Sequence, residues 1–159
     1  MSLQTLLEHR EEKNHRMRIY VENAYTLYDS FFDEPYSYNE AEAIEALGIE
    51  SDLVQELLED FAVQLIQSNV ILQKQLHFLN DEQLYTKELD FTPFRNTIHK
   101  NLGVARNLRI KDCVMILNQL MIETDLESIE ALLKVLESCA LKISPHRAYE
   151  ALQLINKVT

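Results

Sequence analysis

His99 sits in the run TPFRNTIHKNLGVARNLRIK, with Arg95 four residues before it, Lys100 beside it, Gly103 four after and Arg106 seven after. A neutral imidazole nitrogen is a nucleophile near pH 7, and nearby guanidinium groups suit phosphoryl oxygens or an acidic partner surface. From Phe91 to Lys111 there is no Asp or Glu. Five of the chain's fifteen Lys and Arg residues (Arg95, Lys100, Arg106, Arg109, Lys111) fall there, in a protein of net charge −11. Gly103 is the second unusual feature, one of only two glycines. Glycine inside a helix costs about 0.8–1 kcal/mol relative to alanine. Its missing side chain either clears an approach to the imidazole or permits close helix–helix packing.

Thr92-Pro93 predicts the start of the helix that carries these residues, Thr as N-cap and Pro at the first helical position. At 100° per residue, Arg95, His99, Gly103 and Arg106 share one strip, with Asn96 and Asn107 at its margin. Phe94, Ile98, Ala105 and Leu108 form the opposite, core-facing side, and Leu102 falls between the two. His99 is therefore expected to be exposed at the edge of a core. Around Leu108-Arg109-Ile110 the apolar stripe changes phase, so a break is expected there. Ile110, Cys113, Leu117 and Leu120 then define a new helix running to about Ile122.

Two Gly and three Pro in 159 residues are too few turn residues for a β-rich fold, while 47% hydrophobic residues suffice for a core. Spacing predicts a long first helix from Leu3 to about Phe32, charged from His9 to Arg18 and aromatic from Tyr20 onwards, where the rings form core or a packing face. Asn39 and Gly48 bracket a short helix. Ser51 or Asp52 is placed to cap a long helix with Leu53, Leu57, Phe61, Leu65, Leu72, Leu76 and Leu79 at helical intervals, closing at Asn80-Asp81. Asp125 caps the helix from Leu126 to about Leu141, and Ser144-Pro145 begins a last one. The expected fold is all-α: an antiparallel four-helix bundle from four helices at about 51–79, 93–108, 110–123 and 126–141, with additional N- and C-terminal helices. Three segments follow: an N-terminal helical extension over 1–36, the bundle over 37–141, and a C-terminal helix packing on it over 142–159.

The string IHKNLGVARNL resembles the histidine-containing phosphotransfer (HPt) family, whose signature places glycine four, a small residue six and leucine nine positions after the histidine. Here these are His99, Gly103, Ala105 and Leu108. ALGIESDLVQELLEDF resembles the lead into the family's first bundle helix, and CVMILNQL with LESIEALLKVLESCAL its third and fourth, so the resemblance covers about 37–141. It implies a phosphocarrier with no independent active site, in which His99 exchanges a phosphoryl group with the aspartate of a response-regulator receiver domain or hybrid sensor kinase. Arg95, Lys100, Gly103 and Arg106 would meet the phosphoryl group or the partner. No cofactor is expected on this chain, since magnesium would belong to the receiver. The family usually carries a base where Leu102 stands, an apolar residue at Asn101 and often glycine at Arg109. An HPt-like adaptor that binds receivers or another partner without being phosphorylated stays open beside the carrier.

Other chemistries fit less well. The histidine of a sensor-kinase dimerisation helix is normally followed by an acidic residue and soon a proline; here Lys100 follows and no proline does. His9, His15, His77 and His146 lack partners at metal-ligand spacing, and Glu12-x-x-His15 has no second copy, so no metal site is expected. Cys113 and Cys139 read as reduced core thiols. Strong negative charge disfavours nucleic acid and anionic membranes, and no run of about 18 apolar residues is present. A cytoplasmic monomer is the expectation.

Overall fold

The computed structural model describes the backbone of residues 2–158 and the side chains of residues 2–156. Met1 and Thr159, the outer ends of the expected terminal segments, lie outside the described residues. Among those described there are seven helices and no strand: α1 (Leu3–Phe31), α2 (Glu40–Leu47), α3 (Ser51–Glu82), α4 (Thr92–Asn107), α5 (Lys111–Ile122), α6 (Leu126–Ile143) and α7 (Pro145–Val158). The fold is all-α, and no helix among the described residues is long and apolar enough to cross a membrane.

Local chemistry sets most boundaries. Asn39 accepts from the Glu42 N–H at 3.2 Å, and Gly48, at φ 65°, closes α2 in the left-handed region. Asp125 accepts from the Ser128 N–H at 3.1 Å to start α6. Two expected caps are corrected. Glu50 precedes α3 without a side-chain cap, and Ser51 already lies within the helix, where its hydroxyl donates to Glu40. Thr92 is likewise the first residue of α4; the Asp90 carboxylate accepts its N–H at 3.0 Å, and hydrogen bonds from Thr92 hold that carboxyl below the ordinary range.

The core follows the apolar rows. Along α3, Val54, Leu58, Phe61, Leu65, Leu72, Leu76 and Leu79 are buried, whereas Leu53 and Leu57 are exposed. Each i+4 step advances 40° around a helix of 3.6 residues per turn, so a row traced back from Phe61 slides off the buried face within two turns. α3 packs on α2, α4, α6 and α7, and α5 packs on α4 and α6; among the described residues the backbones of α3 and α5, and of α4 and α6, do not approach within 8 Å. α1 lies across α6 and α7. Its tyrosines anchor it: Tyr25 donates to the Leu141 carbonyl at 3.2 Å, Tyr20 to Glu137 at 3.0 Å and Tyr28 to Asp112 at 2.8 Å. Burial pushes the Asp112 and Glu137 carboxyls up, against the lowering effect of those hydroxyls. Cys113 and Cys139 are free thiols, both buried.

The end of α4 explains the expected break. The Ile110 N–H donates to the Ala105 carbonyl at 3.0 Å, and Arg109 between them sits at φ 61°, the only non-glycine residue with positive φ among those described. This is the left-handed closure that glycine usually supplies. An L-residue there costs roughly 1–2 kcal/mol, partly offset in a glycine variant by about 0.4–1 kcal/mol of unfolded-state freedom. Arg109→Gly is therefore expected to stabilise the protein by about 1 kcal/mol, read as a rise of roughly 2–4 °C in thermal midpoint. A lowered midpoint would mean that the arginine side chain contributes more than its backbone strain removes. Tyr38 fixes the same corner, donating to the Leu108 carbonyl at 2.6 Å.

Candidate functional site

α4 presents two faces of opposite character. Phe94, Ile98, Leu102, Ala105 and Leu108 are buried in the core, while His99, Lys100, Gly103, Arg106 and Asn107 are exposed. The imidazole of His99 makes no hydrogen bond or ion pair within the described residues and faces solvent. A Cβ built on Gly103 meets nothing within 4 Å. Close helix packing is thus not what this glycine serves; it leaves bare backbone one turn from His99.

The five basic groups differ in how they are held. Arg95 is half-buried, its guanidinium 5.0 Å from the centre of the Phe91 ring, and its Nε is shut off from solvent with no hydrogen-bond partner within the described residues. Arg106 donates from Nη2 to Asn118 Oδ1 at 3.1 Å, which leans it against α5. Lys100 is exposed and makes no ion pair within the described residues. Arg109 is also exposed, and Lys111 lies 3.6 Å from Glu42. The expected strip is therefore present on one face, with Arg95 at its margin rather than fully on it.

Two residues that depart from the HPt pattern find physical reasons here. Leu102, placed by periodicity between the two faces, is 3% exposed and belongs to the core. Asn101, at an ordinarily apolar position, is 1% exposed and fully engaged. Its Nδ2 donates to the Ser68 hydroxyl at 3.0 Å and the Thr97 carbonyl at 2.9 Å, and its Oδ1 accepts from Gln64 Nε2 at 3.0 Å. A buried amide costs nothing of this kind only when its donors and acceptors are satisfied. One turn towards the start of α4, Gln75 donates to the Thr97 hydroxyl at 3.2 Å. This polar seam ties the buried edge of α4 to α3 and fixes the rotation of the helix, and with it the outward aim of His99. Sequence reasoning missed it. Its only sequence signal was a set of polar residues, Gln64, Ser68 and Gln75, among the leucines of α3.

Beside the strip, Leu47, Leu57, Phe61, Val104 and Leu108 line an open groove of about 300 Å³ between α2, α3 and α4. The basic strip is thus bordered by a largely apolar trough that also holds the Asp60 carboxylate and the Gln64 and Asn107 amides. Among the described residues no group of three or more His, Cys, Asp or Glu is placed to hold a metal ion. Comparison with known proteins finds no family model, no curated protein and no solved structure that matches this chain.

Proposed function

We propose that this chain is a histidine phosphotransfer protein, relaying a phosphoryl group between receiver-domain aspartates and His99 in a cytoplasmic two-component phosphorelay. The observation that carries the reading is the combination at one turn of α4: an exposed, unpaired imidazole beside bare backbone at Gly103, flanked by Arg95, Lys100 and Arg106. In this reading α3, α4, α5 and α6 form the antiparallel four-helix bundle of the HPt family. Their ring of close neighbours, in which the backbones of the diagonal pairs stay further apart, supports it. The neighbouring segments are the N-terminal helix and the C-terminal helix α7.

The step is simple. The lone pair of a ring nitrogen attacks phosphorus, the P–O bond to the receiver's aspartate breaks with its electrons returning to the carboxylate, and the other ring nitrogen keeps its proton. Such transfer depends on positioning and charge neutralisation. The receiver supplies the metal and the acidic pocket; this chain supplies the nucleophile, the clearance and the positive charge.

The test is label transfer from a phosphorylated receiver domain to the full chain, read as acid-labile, alkali-stable phosphate, with His99→Gln alongside. Transfer to wild type and none to His99→Gln is expected. A second reading, an HPt-like adaptor that docks receivers without accepting phosphate, draws on Leu102, where the family's base is replaced by a core leucine. Receiver binding without label on the wild type would establish that reading in place of the first.

A further inference from the structure

We propose that Arg95, rather than a residue following the histidine, is the group that binds the phosphoryl oxygens on His99; this deepens the phosphocarrier reading and rests on it. Side chains on an α-helix lean towards its N-terminus, over the turn that precedes them. The imidazole of His99 therefore leans towards the turn that holds Arg95. Arg106, seven residues further on, leans back only as far as the turn of Gly103, and its guanidinium is already engaged by Asn118. Leu102 stands in the core and brings no charge. Arg95 is held in place by its stack on Phe91; its Nε–H is shut off from solvent, while its terminal Nη groups make no hydrogen bond or ion pair within the described residues. A guanidinium restrained by an aromatic ring, with a donor left over and no carboxylate paired to it, is preset for an anion arriving from the histidine side.

The chain contains its own controls, because His9, His15, His77 and His146 are also exposed. Phosphoramidate, a small phosphoryl donor, can label any accessible imidazole: a ring nitrogen attacks phosphorus, the donor's P–N bond breaks, and ammonia leaves. With the intact protein, labelling of each histidine is followed by peptide mapping at alkaline pH. His99 is expected to react faster than the other four, and Arg95→Gln to slow His99 about tenfold, the scale of one charge-assisted hydrogen bond. The other four rates should not move, and Arg95→Lys should fall between. A spectroscopic signature accompanies this: the ³¹P resonance of phospho-His99 should lose its last phosphoryl proton at lower pH in wild type than in Arg95→Gln. A merely structural arginine would shift neither the His99-to-His146 ratio nor that titration. Equal His99 rates in wild type and Arg95→Gln would overturn the proposal; if the glutamine variant does not fold, an Arg95→Lys rate equal to wild type does so. Should wild-type His99 react no faster than the other four, this proposal also fails, whereas transfer from a phosphorylated receiver still decides the carrier reading separately.

Discussion

Gly103→Gln is expected to cut phosphoryl transfer from a receiver to His99 by about a hundredfold while making the protein itself more stable. The two effects part because Gly103 does nothing for the fold. Outside its own helix backbone, no atom lies within 4 Å of the position its Cβ would take, so a side chain there displaces nothing packed against α4. Replacing glycine in a helix interior with a good helix former gains somewhat under 1 kcal/mol, read as a rise of roughly 2 °C or slightly more in thermal midpoint. The added side chain, however, leans over the turn that bears His99 and fills the approach to its imidazole. A displacement of about 1 Å at a reacting centre is enough for a loss on the order of a hundredfold. Stopped-flow or gel-based transfer assays beside calorimetry would measure both. Unimpaired transfer in a stabilised variant would show that the receiver does not approach over this turn, and the proposed docking face would have to be abandoned.

Leu102→Lys, which restores the base that the HPt pattern usually carries at this position, is expected to damage the protein. Leu102 is 3% exposed, on the flank of α4 that is buried in the core. Removing a buried leucine side chain forfeits roughly 1.5–3 kcal/mol of burial, and the ammonium must be desolvated or drawn out to the surface along its stem. A loss of about 3 kcal/mol follows, a drop of roughly 6–12 °C in thermal midpoint, with no faster transfer. The opposite outcome, an unchanged midpoint with faster transfer, would mean that position 102 looks outward and that the rotation of α4 described above is wrong. Read together, the two substitutions separate a face that serves a partner from one that serves the core.

Much of this arrangement is written in local patterns. Asn39, Gly48, Asp125 and Pro145 mark helix ends because capping is a matter of neighbours along the chain, and the 3.6-residue period alone puts His99, Gly103 and Arg106 opposite Phe94, Ile98 and Ala105. What periodicity assigns is an angle around one helix axis. It does not say which helix stands across from that angle. For this reason the pattern leaves Leu102 between the two faces although it is buried, and places Leu53 and Leu57 in a core row although both are exposed.

The same limit hid the polar seam. Asn101 reads as a misplaced amide beside the histidine until Gln64 and Ser68, more than thirty residues earlier, are brought against it. Arg95 reads as one more surface charge until its stack on Phe91 and its unpartnered Nε are visible. A helical protein with a histidine, a glycine and a cluster of cations on one exposed face is already implied by residue type and spacing. How α4 is rotated, which basic groups are already engaged and which side chains are sealed inside emerge from the packed helices alone. Those facts depend on donors, acceptors and volumes contributed by other helices, and nothing within a single stretch of chain encodes them.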